Sequence, residues 1–155
     1  NEIRRRPKEE VILIKPASDT RTPGIFTRFG NLEIQPDLLY SQDTRLNWLH
    51  ALEKKKVFFI DEWQFMPESA MNDIFQRRKS DQEFNLYGLK NDYLGVMWDS
   101  VKCALNMADQ VIEIPTHCEL CKENKASFNK KLANTPDGNN PGFHYIPVCW
   151  KCFRG

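Results

Sequence analysis

The chain has 155 residues, which suffices for one domain or for one domain with a small appendage. Its 22 basic and 21 acidic side chains give a formal net charge of +1, so charge provides no reason to expect nucleic acid or a membrane surface as a partner. No apolar run approaches the roughly 18 residues that a membrane-spanning helix needs, and small molecules or proteins are the expected partners.

A first buried strand is predicted for residues 11–14. The loop that follows is rich in turn-forming residues yet carries Asp19 and Arg21 two positions apart. A solvated turn explains this composition as well as a binding loop does. Residues 25–34 read as an extended or hairpin-like stretch.

Two amphipathic helices are predicted in the middle of the chain. The first covers residues 41–56, and the second begins at a capping Ser69 and runs to about residue 79. The predicted buried face of the first helix is Leu46, Leu49 and Leu52 beside Trp48. The predicted buried stripe of the second helix is Ala70, Met71, Ile74 and Phe75.

Between these helices an uninterrupted apolar run, residues 57–60, stops abruptly on Asp61 and Glu62. Such a run predicts a buried parallel strand that delivers two acids to its carboxyl end, where open α/β sheets bind their ligands. In phosphoryl-transfer folds such a strand supplies an Asp near the metal ion, and a neighbouring acid can act on the nucleophile. An ordinary buried strand followed by a helix-capping acid explains the same residues, so the flanking chain has to decide.

Further along the chain, a third strand is predicted for residues 84–89, a helix for residues 97–108 and a fourth strand for residues 111–114. Cys103 lies in that helix and is interpreted as a small core residue. Strands that alternate with helices predict a parallel sheet with helices packed on its faces. The composition changes after Pro115, which predicts two domains, residues 1–115 and 116–155.

The second predicted domain contains two C-x-x-C pairs, and the four cysteines concerned are Cys118, Cys121, Cys149 and Cys152. Four thiolates in two knuckles suit tetrahedral zinc, and four sulfur ligands leave the ion no open position. Without a recognisable signal sequence, metal ligation in a reducing compartment is favoured over a disulfide framework. The sequence therefore predicts a structural zinc ion, with His117 beside the first knuckle as a competing ligand.

The ordered set of motifs resembles the type II thymidine kinase family in its bacterial and phage-like form, from about residue 2 to residue 153. The matching segments, in chain order, are residues 14–21 (similar to K-P-x-x-D-T-R), 27–30 (S-R-x-G), 60–65 (I-D-E-x-Q-F), 87–93 (Y-G-L-x-x-D-F), 108–114 (A-D-x-x-x-x-L) and 145–149, which resemble the lasso segment before the second knuckle. The resemblance implies an α/β, P-loop-kinase-like parallel sheet with flanking helices, followed by a small zinc-ribbon or lasso domain.

The resemblance also implies an enzyme that phosphorylates the 5′-hydroxyl of thymidine with ATP and Mg²⁺, in cytoplasmic nucleotide salvage and as a homo-oligomer, a tetramer in this family. Glu62 would be the base that takes the hydroxyl proton. The residues implied for the ATP and magnesium side are Asp61, Asp19 and Arg21. The residues implied for the thymidine side are Phe65, Tyr93, Phe128 and Tyr145.

One departure from the family pattern concerns the phosphate-binding loop. The family begins with a G-x-x-x-x-G-K-[ST] loop that cradles the ATP phosphates, and these 155 residues contain no such motif. Residues 1–6 resemble the helix directly after that loop, so we expect the first strand and the loop to be missing and this chain alone to be inactive. The alternative is a kinase-derived binding or structural module that has lost ATP binding.

Overall fold

The computed structural model describes residues 7–20, 24–26, 33–132 and 145–155. The chain divides into two compact units, Asn1–Gly88 and Leu89–Gly155, which are described separately below. Arg21, the predicted turn at residues 27–30 and most of the predicted lasso, residues 133–144, lie outside the described residues. These units divide after Gly88, and the boundary between the two predicted domains at residue 115 stays a prediction.

A four-stranded parallel sheet forms the centre of the first unit. The elements in chain order are β1 (Val11–Pro16), β2 (Ile25–Phe26), β3 (Glu33–Ile34), β4 (Leu38–Tyr40), α1 (Arg45–Lys54), β5 (Val57–Ile60), a 3₁₀ turn (Trp63–Phe65), α2 (Glu68–Arg77) and β6 (Glu83–Leu86). The strand order is β4-β1-β5-β6, and each neighbouring pair is parallel. The predicted α/β class with a parallel sheet is confirmed, while β4 is a short strand that the sequence did not reveal.

Both faces of the two central strands are covered. Because side chains alternate along a strand, Val11 and Leu13 of β1 and Phe59 of β5 share one face, against which Ile25 and Ile34 of the antiparallel β2–β3 hairpin pack. Phe58 points to the other face, where it meets the Trp48 ring of α1 edge-on at 6.1 Å between centroids. Burial on both sides explains why β1 and β5 read as continuous apolar runs.

Helix α1 buries a different face from the predicted one. Trp48, Ala51 and Leu52 are buried, whereas Leu46 is 78% exposed. Each helical residue turns the chain by about 100°, so Leu46 lies nearly opposite Trp48 on the helix. The Trp48 ring packs between Tyr40 and Phe58, and this contact sets the rotation of the helix.

Helix α2 confirms the predicted burial of Ala70, Met71 and Ile74 but corrects two other expectations. Pro67 occupies the position before the helix, and Ser69 lies within its first turn without acting as the cap. Phe75 is 66% exposed, while Asp73 is buried. Asp73 can be buried because Arg45 of α1 donates two hydrogen bonds to its carboxylate, at 2.8 and 3.3 Å.

The second unit contains a helix, a two-stranded sheet and a short C-terminal helix. Its elements are α3 (Asp99–Met107), β7 (Phe128–Lys131), β8 (Tyr145–Val148) and α4 (Trp150–Arg154), and β7 pairs antiparallel with β8. Within the described ranges of the whole chain, no helix is long and apolar enough to cross a lipid bilayer.

The predicted fourth strand at residues 111–114 is wrong. These residues have no regular secondary structure, and the side chains of Val111, Ile112 and Ile114 are 62%, 74% and 76% exposed. A strand needs a neighbour that pairs its backbone N–H and C=O groups, and none of the strands in the described part of the chain pairs with this segment.

Candidate functional site

The carboxyl edge of the sheet in the first unit carries Asp61 and Glu62, directly after β5. The Asp61 N–H donates to the Ile14 carbonyl at 3.0 Å, which extends the pairing of β1 and β5 by one residue. Glu62 then adopts a left-handed backbone conformation, with φ 50° and ψ 41°. Such a conformation costs a non-glycine residue on the order of 1–3 kcal/mol and persists only where surrounding contacts hold it.

Three hydrogen bonds hold the turn at Glu62. The Trp63 N–H donates to the Tyr87 carbonyl at 2.8 Å, and the Phe65 N–H donates to the Glu62 carbonyl at 3.0 Å. The buried Gln64 side chain donates from Nε2 to Glu62 Oε2. Both the backbone and the carboxylate of Glu62 are therefore fixed relative to the sheet.

Asp19 returns to the same edge of the sheet through a buried ion pair. Its Oδ2 atom lies 3.1 Å from Lys15 Nζ, and the two side chains are only 3% and 1% exposed. Lys15, which directly follows the strand predicted for residues 11–14, was not among the predicted site residues. The spacing of a Lys and an Asp four positions apart across a turn was the signal that could have revealed this ion pair.

The pKa of Asp61 depends on the charged groups around it at this edge of the sheet. Burial raises the pKa of Asp61 above its ordinary value, and the neighbouring Glu62 carboxylate raises it further, while Lys15 offsets part of the effect. A group in this state is ionised more easily when a cation binds beside it. The arrangement is thus suited to a divalent ion, since hard cations prefer carboxylate oxygens.

Phe65 lines a small cavity at the ends of β1 and β4. The cavity measures about 170 Å³, and its walls are Ala17, Ser18, Tyr40, Ser41, Gln42, Phe65 and Pro67. Its volume is below the roughly 300–1,000 Å³ that is usual for a ligand pocket. Phe65 therefore provides one apolar wall of this cavity. The described residues of the first unit do not by themselves enclose a pocket of the usual size for a ligand.

The four predicted zinc ligands come together in the second unit. Their Sγ atoms all lie within 4.8 Å of one another, and Cys121 Sγ is 3.9 Å from Cys149 Sγ. Zinc–sulfur bonds of about 2.3 Å in a tetrahedron place the sulfurs about 3.8 Å apart, so the donors fit this ion. The four cysteines are free thiols. His117 is not part of this cluster, and its backbone forms a β-bridge with Lys125.

The thiols of this cluster differ in their readiness to ionise. Burial alone would raise the pKa of Cys118, but backbone N–H groups of Cys121, Cys149 and Leu120 donate to its sulfur and lower the pKa to about 6. Burial and the neighbouring thiols raise the pKa of Cys152 to about 12. Four thiolates at this separation require a compensating cation, because ligation and deprotonation are coupled.

Two of the predicted thymidine-side residues form an aromatic pair. The rings of Tyr93 and Tyr145 are stacked, with centroids 5.9 Å apart, and Lys131 Nζ lies 5.4 Å from the Tyr93 centroid. Lys131 and Tyr145 are register partners in the β7–β8 sheet. The β7–β8 sheet thus presents Tyr145 and Lys131 to Tyr93.

The loop that carries Tyr93 is tightly organised. Asp92 Oδ1 accepts hydrogen bonds from the N–H groups of Leu94 at 2.9 Å and Val96 at 2.8 Å. Gly95 closes the turn with φ 80°, a conformation that disfavours other residues. Asp92, the acid of the Y-G-L-x-x-D-F segment, is therefore a structural support for Tyr93.

Phe128 lies in a different environment from the tyrosine pair. Its ring is stacked on Phe153 at 4.7 Å and tilted against Trp150 at 5.3 Å between centroids. The same ring packs on the apolar cluster formed by Cys118, Val148 and Cys149. The structure thus places Phe128 beneath the cysteines, and its predicted contact with thymidine stays a prediction.

Comparisons with known proteins give a consistent picture. The family description "Thymidine kinase" matches residues 2–153 of the chain. A thymidine kinase of Vibrio parahaemolyticus serotype O3:K6 is 31% identical over 117 residues, which cover 63% of this chain and 59% of that protein. A thymidine kinase of Listeria monocytogenes serotype 4b is 31% identical over 114 residues, covering 64% and 56%.

A thymidine kinase of Streptococcus pyogenes serotype M3 is also 31% identical, over 112 residues that cover 64% of this chain and 56% of that protein. The chain thus spans less than two thirds of the length of these curated relatives. The family match, in contrast, extends over nearly all of the chain and includes both the acid edge and the four cysteines. The chain belongs to the thymidine kinase family.

Proposed function

We propose that this protein is an ATP-dependent thymidine kinase, which transfers the γ-phosphoryl group of ATP to the 5′-hydroxyl of thymidine. The observation that carries the proposal is the position of Asp61 and Glu62 at the carboxyl end of a central parallel strand, in a chain matched by the thymidine kinase family over residues 2–153. Ligands of open parallel sheets bind at this edge.

Glu62 is the proposed general base. A base must lie within hydrogen-bond reach of the hydroxyl that it deprotonates, and a side chain at a strand end is held more rigidly than one on a loop. The left-handed turn and the Gln64 hydrogen bond hold the Glu62 carboxylate in one orientation. Glu62 would take the 5′-hydroxyl proton as the oxygen attacks phosphorus.

Asp61 and Asp19 are the proposed residues of the ATP and magnesium side, together with Arg21. Magnesium neutralises the charge that develops on the transferred phosphoryl group. Lys15 holds the Asp19 carboxylate in place, and the raised pKa of Asp61, caused first by burial and then by Glu62, makes it responsive to a bound cation.

Phe65, Tyr93, Phe128 and Tyr145 remain the proposed contacts of thymidine. Aromatic rings suit the flat face of a pyrimidine because stacking needs no particular hydrogen-bond pattern. The stacked Tyr93–Tyr145 pair supports this role most directly. The cysteine cluster would hold a structural zinc ion that secures the β7–β8 hairpin and with it Tyr145.

The proposed kinase and the alternative binding module differ in whether the protein has a phosphate-binding loop. These 155 residues contain no G-x-x-x-x-G-K-[ST] motif, and phosphoryl transfer depends almost wholly on positioning and charge stabilisation. We therefore propose that these 155 residues alone do not phosphorylate thymidine. From the family membership we propose separately that the active enzyme is cytoplasmic and that it is a tetramer. The second candidate is a kinase-derived binding module without ATP chemistry.

The two candidates differ in a reconstitution assay. Thymidine phosphorylation would be measured with labelled ATP for the 155-residue chain and for the same chain joined behind a strand and a G-x-x-x-x-G-K-[ST] loop. A matched fusion with the loop Lys changed to Ala serves as the control. We expect turnover only with the intact loop; a folded, zinc-loaded fusion that makes no thymidine monophosphate would favour the binding module, and turnover by the 155 residues alone would refute the need for the loop.

A further inference from the structure

Two residues of the matched motifs, Gln64 and Gly88, lie beside the proposed base: Gln64 holds the Glu62 carboxylate, and Gly88 has no role in the proposal so far. Gln64 belongs to the segment after β5 and Gly88 to the segment after β6. Gln64 is only 3% exposed, and its amide nitrogen donates to Glu62 Oε2. A buried amide that donates to the proposed base has a direct influence on where that carboxylate points.

Gly88 is in close contact with Gln64. A Cβ atom built on Gly88 would overlap Gln64 Oε1 and would lie 3.2 and 3.3 Å from the backbone nitrogens of Trp63 and Gln64. The backbone here cannot withdraw easily, because the Trp63 N–H donates to the Tyr87 carbonyl at 2.8 Å. Any larger residue at position 88 would therefore displace the Gln64 side chain.

The Glu62 side chain needs such a support. Three rotatable bonds give a glutamate considerable freedom, and fixing the side chain of a Glu costs about 1.5–2 kcal/mol of entropy. An N–H donor to an ionised carboxylate forms a charge-assisted hydrogen bond, which is stronger than a bond between neutral groups. The left-handed backbone at Glu62 directs the carboxylate toward Gln64.

We propose that Gln64 is a positioning residue that orients the Glu62 carboxylate for proton transfer, and that Gly88 is required because it leaves room for Gln64. The proposal rests on the role of Glu62 as the base. The pairing of β5 with β6 brings Gly88 onto Gln64, so this contact links two segments that are far apart in sequence, residues 60–65 and 87–93.

The hydrogen bond can be tested in the 155-residue chain without any enzymatic activity. The probe is the side-chain amide resonance of Gln64 in ¹⁵N–¹H NMR spectra at neutral pH. We expect this resonance to be displaced from the range of exposed glutamines in the wild-type chain and to lose that displacement in Gly88→Ala. Glu62→Gln should also shift it, because a neutral acceptor replaces a carboxylate, whereas Glu68→Gln, the same change on an exposed residue, should not.

A Gln64 resonance that lies among those of exposed glutamines, or that responds equally to Glu62→Gln and Glu68→Gln, would overturn the proposal. The wild-type spectrum decides this point even if Gly88→Ala does not fold. Where thymidine phosphorylation is measurable, Gln64→Met, which keeps the volume and removes the donor, should lower kcat by about 10- to 100-fold with little change in KM. An unchanged kcat with the NMR signature present would contradict the positioning role, whereas inactivity of every protein in the assay would count against the proposed function only.

Discussion

Replacing Lys15 with Met gives a direct test of the buried ion pair at the acid edge. Lys15 and Asp19 are 1% and 3% exposed, and their charged atoms are 3.1 Å apart. The substitution keeps the apolar stem but removes the charge, so the Asp19 carboxylate stays buried without its Lys15 partner. Breaking such a pair from one side costs about 3–5 kcal/mol, a large fraction of the roughly 5–15 kcal/mol that stabilises a typical domain.

Urea denaturation of the wild type, Lys15→Met, Asp19→Asn and the double variant would form a double-mutant cycle. We expect each single change to be strongly destabilising and the double variant to recover much of the loss, because neither charge is then buried alone. Lys56→Met is the matched control, because Lys56 is half-exposed in its 2.7 Å pair with Glu10. Surface pairs contribute little, so this variant should resemble the wild type.

The reasoning would be refuted if Lys15→Met unfolded at the same urea concentration as Lys56→Met. The reasoning would also be refuted if the losses of stability in the two single variants added up to the loss in the double variant. Either result would mean that the charges at the carboxyl edge do not depend on one another, and Lys15 could not then be said to hold Asp19 in place.

Three further predictions concern the acids and the cysteines. In a preparation that phosphorylates thymidine, Glu62→Gln should lower kcat by at least roughly 10²-fold while circular dichroism stays unchanged; near-normal turnover would remove Glu62 from the role of base. The folded-state pKa of Asp61 is raised, first by burial and then by Glu62, so the carboxyl favours folding at acid pH, and this contribution is lost as the pH rises through the folded pKa. Asp61→Asn should therefore raise the free energy of unfolding at neutral pH. It should also weaken the decrease of this free energy as the pH rises from acid to neutral values. A variant that is less stable than the wild type at pH 7 would contradict this prediction. Metal analysis should find one zinc ion per chain. The ion should be lost in Cys149→Ser and retained in the control Cys103→Ser. Disulfides between the four cysteines would overturn the assignment.

Local sequence patterns were sufficient to predict a structural feature where one type of residue largely determines it. The continuous apolar run of β5 is typical of a strand buried on both faces, and it ends on two acids whatever packs around it. Two C-x-x-C pairs present sulfur ligands within short turns, so the four-cysteine cluster follows once the pairs meet. The helical rotations did not follow in this way: Leu46 and Phe75 are exposed because Trp48 and the Arg45–Asp73 pair set which faces of α1 and α2 are buried.

Sequence patterns alone were thus enough to predict the fold class, the acid-terminated strand, the cluster of four cysteines and the family to which the chain belongs. How the acids are held depends on contacts between elements that are distant in the sequence. The left-handed turn at Glu62, the Gln64 hydrogen bond, the close approach of Gly88 and the buried Lys15–Asp19 pair all depend on which strand ends meet. The exposed residues 111–114 illustrate the same limit from the other side, because an apolar segment becomes a strand only when another strand pairs with its backbone.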